Sequence, residues 1–170
     1  MFLIQMAGFP GSGKSSLAKE ISKIFNAIIL DIDVIKTALI ESGIDSSILA
    51  NTSYHTMFSL CDYYLSLNRN VIIDTPCYYT ETLDNGTNLA KKYDAEYKYI
   101  ECRLEDFEEV NRRLMSRVSK LSQWSSAEED VFHKSFGKSK YPKSIKPIIV
   151  DSSLPISSYI QDIIEYINPK

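Results

Sequence analysis

Short apolar runs alternate with longer segments of helical periodicity along this chain. The runs typical of buried strands are residues 2–7, 27–30, 71–73, 97–101 and 147–150. The segments with apolar residues at helical spacing are residues 15–25, 34–41, 53–67, 81–93, 106–119 and 156–167. This alternation predicts an α/β fold in which helices cover both faces of a mostly parallel, five-stranded sheet. Ligands of such folds bind at the carboxyl ends of the strands.

Two polar segments interrupt this pattern. Residues 41–53 are rich in serine and asparagine and include Gly43, which predicts a loop or a helix break. Residues 122–144 combine serines and lysines with a glycine and a proline, and their periodicity is weak. Because such a stretch is typical of a functional lid, we expect a helical or polar lid over about residues 118–144. The length of 170 residues predicts a single domain over residues 1–170.

The first apolar run leads into the sequence G-F-P-G-S-G-K-S at residues 8–15, here called the phosphate loop. It fits the pattern G-x-x-x-x-G-K-[ST], in which a glycine-rich turn and a helix start direct backbone N–H groups at a phosphate. Lys14 is predicted to reach the β- and γ-phosphates and the Ser15 hydroxyl to bind Mg²⁺. The predicted nucleotide-binding residues are Gly8, Pro10, Gly11, Ser12, Gly13, Lys14, Ser15 and Ser16.

Acidic side chains follow the second predicted strand. Asp33 lies just beyond it, where a carboxylate can accept the proton of an attacking hydroxyl or hold a water on Mg²⁺. The alternative is that Asp33 caps the next helix, and the two roles are compatible. Lys36 lies one helical turn further on, so its side chain is predicted to point the same way and to contact the substrate. The pattern leaves open where Asp31 points.

Asp74 ends the third apolar run, at the carboxyl end of a predicted strand. A carboxylate at this place contacts Mg²⁺ through water in the Walker B arrangement, so Asp74 is predicted to serve the metal and the substrate. The residue that follows is Thr75, whereas an ATPase that drives motion usually has an activating glutamate there, which disfavours that class. Tyr78 and Tyr79 come next and are candidates for lining an acceptor pocket.

Arg113 and Arg117 are four residues apart on the predicted helix 106–119. Two guanidinium groups on one helix face can stabilise the charge that develops on a transferring phosphoryl group. We therefore predict catalytic roles for both and nucleotide binding for Arg113. The alternative is surface pairing with acidic residues one turn earlier on the helix, namely Glu105, Glu108 or Glu109.

Taken together, these motifs resemble the small P-loop kinases, a family that includes the kinase domain of polynucleotide kinase, chloramphenicol phosphotransferase, gluconate kinase and zeta-toxin-like enzymes. The matching segments are residues 8–16, 33–36, 74, 113–117 and 148–153. The resemblance implies a parallel sheet with ATP and Mg²⁺ at its carboxyl edge. It further implies transfer of the γ-phosphoryl group to an acceptor hydroxyl with Asp33 as base, and phosphate binding by Arg113 and Arg117.

One position departs from that family. It often has an arginine three residues after the base, whereas this chain has Lys36. A lysine offers a point charge instead of a bidentate fork, which disfavours recognition of a phosphate on the acceptor.

The net charge of −3 is unevenly distributed. Residues 112–146 carry nine basic and three acidic side chains, a balance of +6 that leaves −9 on the rest of the chain. This distribution argues against a long nucleic-acid partner and suits small anionic groups, although a solvated lysine-rich surface gives the same pattern. Three widely spaced cysteines and the lack of a leader or long apolar span predict a soluble cytoplasmic protein, monomeric or homodimeric.

These observations favour an ATP-dependent kinase with a small hydroxylated acceptor. The alternatives are a nucleotide-binding switch or regulatory ATPase, and a kinase for nucleic-acid 5′-hydroxyl groups. A GTPase is disfavoured because no N-K-x-D or T-K-x-D motif follows the fourth apolar run. The intact phosphate loop, Asp33 and the arginine pair argue against a family member that binds nucleotide without catalysis.

Overall fold

A parallel sheet of five strands organises the protein, in the spatial order β2-β3-β1-β4-β5. The computed structural model describes residues 1–118, 120–135 and 137–168. The strands are β1 Phe2–Ala7, β2 Ile28–Asp31, β3 Val71–Asp74, β4 Glu96–Arg103 and β5 Ile148–Asp151. The helices are α1 Lys14–Phe25, α2 Ile32–Glu41, α3 Ser46–Ser66, α4 Thr80–Lys92, α5 Phe107–Ser116, α6 Glu129–Ser135 and α7 Ile160–Ile167, with a short 3₁₀ turn at Ile156–Ser158. The predicted α/β fold with a five-stranded parallel sheet is confirmed.

Hydrophobic packing on the two faces of the sheet gives three layers. Because side chains alternate along a strand, neighbours on the fully buried β1 enter different cores. Ile4 belongs to the core that α1 and α7 cover, together with Leu17 and Ile163. Leu3 belongs to the opposite core, which α3 covers through Met57. The central strands are apolar on both faces for this reason, as expected for a parallel sheet between helical layers.

Of the loop or helix break predicted over residues 41–53, the structure shows a short helix break, and residues 46–53 are helical. The interruption is confined to residues 42–45, and α3 begins at Ser46. The side chain of Asp45 caps α3 by accepting a hydrogen bond from the backbone N–H of Ser47 at 2.8 Å. The polar residues that suggested a loop therefore mark the start of a 21-residue helix.

The helix predicted over residues 106–119 ends earlier, at Ser116. Arg117 has an extended backbone, with φ −88° and ψ 152°, and Ser119 lies outside the described residues. The chain therefore leaves the helix before the second arginine of the predicted pair.

The predicted lid, residues 118–144 with positions 119 and 136 outside the description, contains one ordered helix, α6. Phe132 of α6 is buried against Phe9 of the phosphate loop, with the ring centroids 5.1 Å apart. Further on, Ser139 and Tyr141 donate hydrogen bonds to the buried carboxylate of Glu101 on β4. The end of this segment is thus fastened to the sheet. Within the described part of the chain, no helix combines the length and apolar character that crossing a bilayer requires.

Candidate active site

The carboxyl ends of β1, β2 and β3 open into a cavity of about 1250 Å³, the active-site cavity. Residues after β5 and residues from α2, α3, α4 and the lid segment complete its wall. Most of the residues predicted from the sequence line it, namely Pro10, Gly11, Gly13, Lys14, Ser15, Ser16, Asp33, Lys36, Asp74, Tyr78, Arg113 and Arg117. Gly8 and Ser12 are not among the lining residues; both lie in the base of the phosphate loop.

The phosphate loop bends through three glycines with positive φ, at 125° for Gly8, 86° for Gly11 and 91° for Gly13. The Lys14 side chain is almost fully buried beneath the loop. Its ammonium donates hydrogen bonds to the carbonyl oxygens of Gly8 and Phe9 at 2.9 and 3.0 Å. The lysine therefore holds the loop in shape, and its charge lies beside the position where α1 begins.

Gly8 permits the closest approach between the loop and the sheet. A Cβ atom at this position would lie 2.2 Å from the carbonyl oxygen of Cys102 on β4 and 2.8 Å from the Ser12 hydroxyl. We expect Gly8→Ala to lower the free energy of unfolding by more than about 2 kcal/mol, since both strain and a backbone clash result. Urea denaturation measures this loss.

Gly43→Ala is the matched control for that substitution. Gly43 also has positive φ, 79°, but no atom lies within 4 Å of its would-be Cβ. Backbone strain alone should cost about 1 kcal/mol there. Equal losses for the two variants would contradict the close approach of Gly8 to β4.

Asp74 faces the same end of the cavity as Lys14 and Ser15. Its side chain is buried, and Oδ2 has no hydrogen-bond partner among the described residues. Burial raises the pKa of Asp74, while the Lys14 ammonium and the Ser15 hydroxyl lower it. Burial likewise lowers the pKa of Lys14, and the carboxylates of Asp74 and Asp33 act against that shift.

The oxygen atoms of Ser15 and Asp74 suit Mg²⁺. This ion prefers hard oxygen ligands and is usually held by one or two carboxylates together with phosphates and water. The unpartnered Oδ2 of Asp74 leaves an acceptor free for such an ion or for its water shell. Within the described ranges, no cluster of three or more acidic, histidine or cysteine side chains forms an all-protein metal site.

Two aspartates at the start of α2 have different partners. Asp31 caps the helix, since its Oδ1 accepts from the backbone N–H of Asp33 at 2.8 Å and that of Val34 at 3.4 Å. Its other oxygen forms an ion pair with Lys120 at 2.5 Å. Capping by Asp33, the alternative considered from the sequence, is therefore wrong. The Asp33 side chain lines the cavity, and its Oδ2 accepts a hydrogen bond from Gln123 Nε2 at 3.0 Å.

The two predicted arginines reach the cavity from different structures. Arg113 on α5 donates to Glu109 Oε1 at 2.7 Å and to the Ser152 carbonyl at 3.0 Å. Together with Arg112 it lowers the pKa of Glu109 to about 2, so the surface pairing considered from the sequence is present alongside the position in the cavity.

Arg117 lies beyond the end of α5, so the prediction of one shared helix face is wrong. Its guanidinium donates to the Trp124 carbonyl at 2.8 Å, and its Nε is buried without a partner among the described residues. Both arginines nevertheless border the active-site cavity. Because Arg117 lies outside the helix, helical periodicity cannot predict its position in the cavity.

Sequence reasoning missed the contact between the lid segment and α2. Besides Lys120 and Gln123, the Ser122 hydroxyl donates to the backbone carbonyl of Asp33 at 2.9 Å. It also accepts from Thr37 at 3.1 Å. These groups are about 85 to 90 residues apart in the chain, so local sequence patterns could not predict their contact.

The cavity wall contributed by α3 was also missed. Asn51, Tyr54 and Phe58 line the cavity at helical spacing. The hydroxyl groups of Tyr54 and Thr75 lie 3.2 Å apart, which joins α3 to the end of β3. Lys36 extends toward this wall, with Nζ 5.7 Å from the centroid of the Tyr54 ring. Predicting residues 41–53 as a loop concealed the fact that the first turns of α3 border the site.

Comparisons with known proteins agree with this architecture. A family model described as an AAA domain matches residues 3–138. The structure is similar to that of a sugar kinase from Janibacter sp. HTCC2649, with a TM-score of 0.70 and 12% identity over 99% of this chain and 95% of that one.

Two further solved structures are similar over nearly the whole chain. A gluconokinase from Sinorhizobium meliloti 1021 has a TM-score of 0.63 and 13% identity, covering 98% of this chain and 91% of that one. An APS kinase from Mycobacterium tuberculosis, in complex with AMPPNP and APS, has a TM-score of 0.65 and 14% identity, covering 97% of this chain and 96% of that one. At these identities the likeness establishes the fold.

Proposed function

The chain belongs to the AAA domain family of P-loop proteins, and we propose that it is a kinase that transfers the γ-phosphoryl group of Mg-ATP to a hydroxyl of a small acceptor. The observation that carries this proposal is that one cavity contains both a phosphate-binding side and a carboxylate that caps no helix. Lys14 and Asp74 form the first, and Asp33 is the second.

The phosphate loop would bind the triphosphate. Its backbone N–H groups and the start of α1 attract anions, and the Lys14 ammonium would exchange the Gly8 and Phe9 carbonyl groups for phosphate oxygens. Ser15 and Asp74 would hold Mg²⁺, which supplies charge neutralisation of the phosphates when bound. That an APS kinase of the same fold was solved with AMPPNP supports ATP as the nucleotide.

Asp33 would act as the base on the acceptor. The acceptor oxygen forms a bond to the γ-phosphorus while the bond from that phosphorus to the leaving oxygen of ADP breaks, and the hydroxyl proton passes to the Asp33 carboxylate. The carboxylate is available for this because Asp31, and not Asp33, caps α2. Its hydrogen bond from Gln123 holds Oδ2, and Oδ1 would take up the proton of the acceptor.

The arginines would stabilise the charge on the transferring group. A terminal nitrogen of Arg113 lies 3.8 Å from the position of a Cβ on Gly13, so the guanidinium is next to the phosphate loop. Arg117 lines the cavity from the lid side. Cations beside a transferring phosphoryl group stabilise its equatorial oxygens.

Phosphoryl transfer explains the site better than a motor or a switch. The carboxyl end of β3 is followed by Thr75, so an activating glutamate is missing from that position. The cavity of about 1250 Å³ exceeds the ~300–1000 Å³ of an ordinary ligand pocket and has room for two substrates. The similar structures are described as a sugar kinase, a gluconokinase and an APS kinase. These names refer to small-molecule acceptors.

The proposal is tested by incubating the chain with γ-labelled ATP and Mg²⁺ and a panel of sugars, nucleosides, amino alcohols and 5′-hydroxyl oligonucleotides. We expect label to appear on at least one small acceptor well above the hydrolysis measured without acceptor. Transfer to the oligonucleotide alone would favour the nucleic-acid alternative. Label released only as phosphate with every compound would favour a switch or regulatory ATPase.

The contact between Gln123 and Asp33 makes a separate prediction. Gln123→Ala removes the donor that fixes the carboxylate and the acceptor of the Lys120 backbone N–H, and neither hydrogen bond involves the phosphate loop. We expect kcat to fall about tenfold with KM for ATP within about twofold, because an unfixed base spends less time in a productive position. Steady-state kinetics measure both constants. Gln161→Ala on α7, where the side chain is exposed and pairs with Glu165, is the matched control.

A further inference from the structure

The cavity divides into two halves according to the strand order. The turn after β5 and Arg113 border one half, beside the phosphate loop. The other half is bordered by residues of α2 and α3 and by the segment that leads from the end of β3 into α4. We call this second half the acceptor pocket and define it by six lining residues, Asn51, Tyr54, Phe58, Tyr79, Glu81 and Asn85.

Aromatic rings form much of the wall of the acceptor pocket. Tyr54 and Phe58 come from successive turns of α3, and Tyr79 precedes α4. The contact between Tyr54 and Thr75 holds the first of these rings against the end of β3. Aromatic faces in a cavity favour flat or ring-shaped ligands, which they cover with little loss of side-chain entropy.

The polar groups of the pocket suit uncharged partners. Asn51 on α3 and Asn85 on α4 each offer an amide that both donates and accepts hydrogen bonds. Such groups complement hydroxyl, carbonyl or amide groups of a ligand. They supply no charge to compensate a buried carboxylate or phosphate.

The charges of the cavity are distributed unequally. Of the described lysines and arginines that line it, only Lys36 comes from α2, α3 or α4, and the His55 imidazole on α3 lines it as well. The carboxylates of Asp33 and Glu81 border the same region. Lys120 is already paired with Asp31, and the remaining lining cations are Lys14, Lys19, Arg113 and Arg117 around the phosphates.

We infer that the acceptor pocket selects an uncharged, hydroxylated ring compound and rejects acceptors that carry a carboxylate or phosphate. This inference rests on the proposed function. With a triphosphate bound, an anionic acceptor would meet two carboxylates against one lysine and the His55 imidazole, and it would also lie near the negative charge of the nucleotide. A sugar ring and a nucleoside share the required chemistry.

Matched pairs of compounds test this. Methyl glucoside and methyl glucuronide differ at one carbon, where a hydroxymethyl group replaces a carboxylate. Uridine and uridine 3′-phosphate form a second pair, and benzyl alcohol with 4-carboxybenzyl alcohol a third. Calorimetry measures their binding to the full chain with Mg²⁺ and a non-hydrolysable ATP analogue. We expect the neutral member of at least one pair to bind about tenfold more tightly or better. The pair that shows this identifies the kind of ring.

Glu81→Lys tests the origin of the selectivity. Reversing this charge should improve binding of the anionic member about tenfold, so that the preference shrinks or disappears. Asp84→Lys is the matched control, since it makes the same charge change on an exposed residue of α4 outside the cavity. We expect its affinities to stay within about twofold of the parent, because Asp84 does not line the cavity and solvent screens its charge from a bound acceptor.

The outcomes separate this inference from the proposed function. Anionic members that bind as tightly as neutral ones, or neutral members that fail to bind in every pair, overturn the inference. An equal response of the pair to Glu81→Lys and Asp84→Lys does the same. If label is transferred to an acceptor but neutral compounds do not bind more tightly than anionic ones, the proposed kinase activity would stand and the inferred selectivity would be rejected. If neutral compounds bind more tightly but no label is transferred to any of them, the inferred selectivity of the acceptor pocket would stand and the proposed kinase activity would be rejected.

Discussion

Lys14→Ala should abolish phosphoryl transfer, with kcat/KM for ATP reduced by at least about 10²-fold. The ammonium lies beneath the phosphate loop and is bound only to backbone carbonyls of Gly8 and Phe9 in the contacts described. Because it is buried, its interaction with a phosphate is weakly screened by water and correspondingly strong. The substitution also removes the nearest positive charge from the buried Asp74, whose pKa should rise further.

Two further variants separate loss of charge from loss of fold. Lys14→Met keeps most of the buried side-chain volume and should lose transfer to the same extent, with a smaller change in stability than the alanine variant. Lys23→Met is the matched control on the same helix, where the lysine is exposed and pairs with Glu20. Calorimetric titration with ATP and thermal unfolding of each variant give the two readouts. Transfer by Lys14→Met near the parent rate would exclude the proposed role.

The fold could be predicted because its signals are local. Apolar runs of three to six residues mark the strands, since both faces of the central strands β1 and β3 are buried. The phosphate loop could be predicted because its motif consists of consecutive residues, 8–15. The shared location of the Asp33 and Asp74 carboxylates could be predicted because the carboxyl ends of parallel strands meet at one edge of the sheet. The two carboxylates do lie in one cavity.

What could not be predicted depends on contacts between distant segments. The hydrogen bond from Gln123 to Asp33 joins residues 90 apart, and neither belongs to a recognisable motif with the other. Which of Asp31 and Asp33 caps α2 depends on the residue at which the helix begins. A shift of two residues would make the other carboxylate the cap. Arg117 reaches the cavity from a coil, where periodicity gives no direction.

Asp33→Asn should separate nucleotide binding from transfer. The amide has nearly the same shape as the carboxylate and retains an oxygen that can accept from Gln123, so local structure should be preserved. It cannot take up the proton of the acceptor hydroxyl. We therefore expect ATP affinity within about threefold of the parent and a fall in kcat of about 10²- to 10⁴-fold. Calorimetry and label transfer measure these two quantities.

Asp31→Asn is the decisive comparison, because it removes the same charge two residues earlier in the chain. Asparagine caps helices about as well as aspartate, so α2 should begin at the same residue. Only the ion pair with Lys120 is lost, and a partly exposed pair contributes little, about 1 kcal/mol or less. We expect kcat within about threefold of the parent. Equal losses in the two variants would show that the negative charge at the start of α2 matters in general, whereas a loss confined to Asp33→Asn assigns proton removal to that carboxylate.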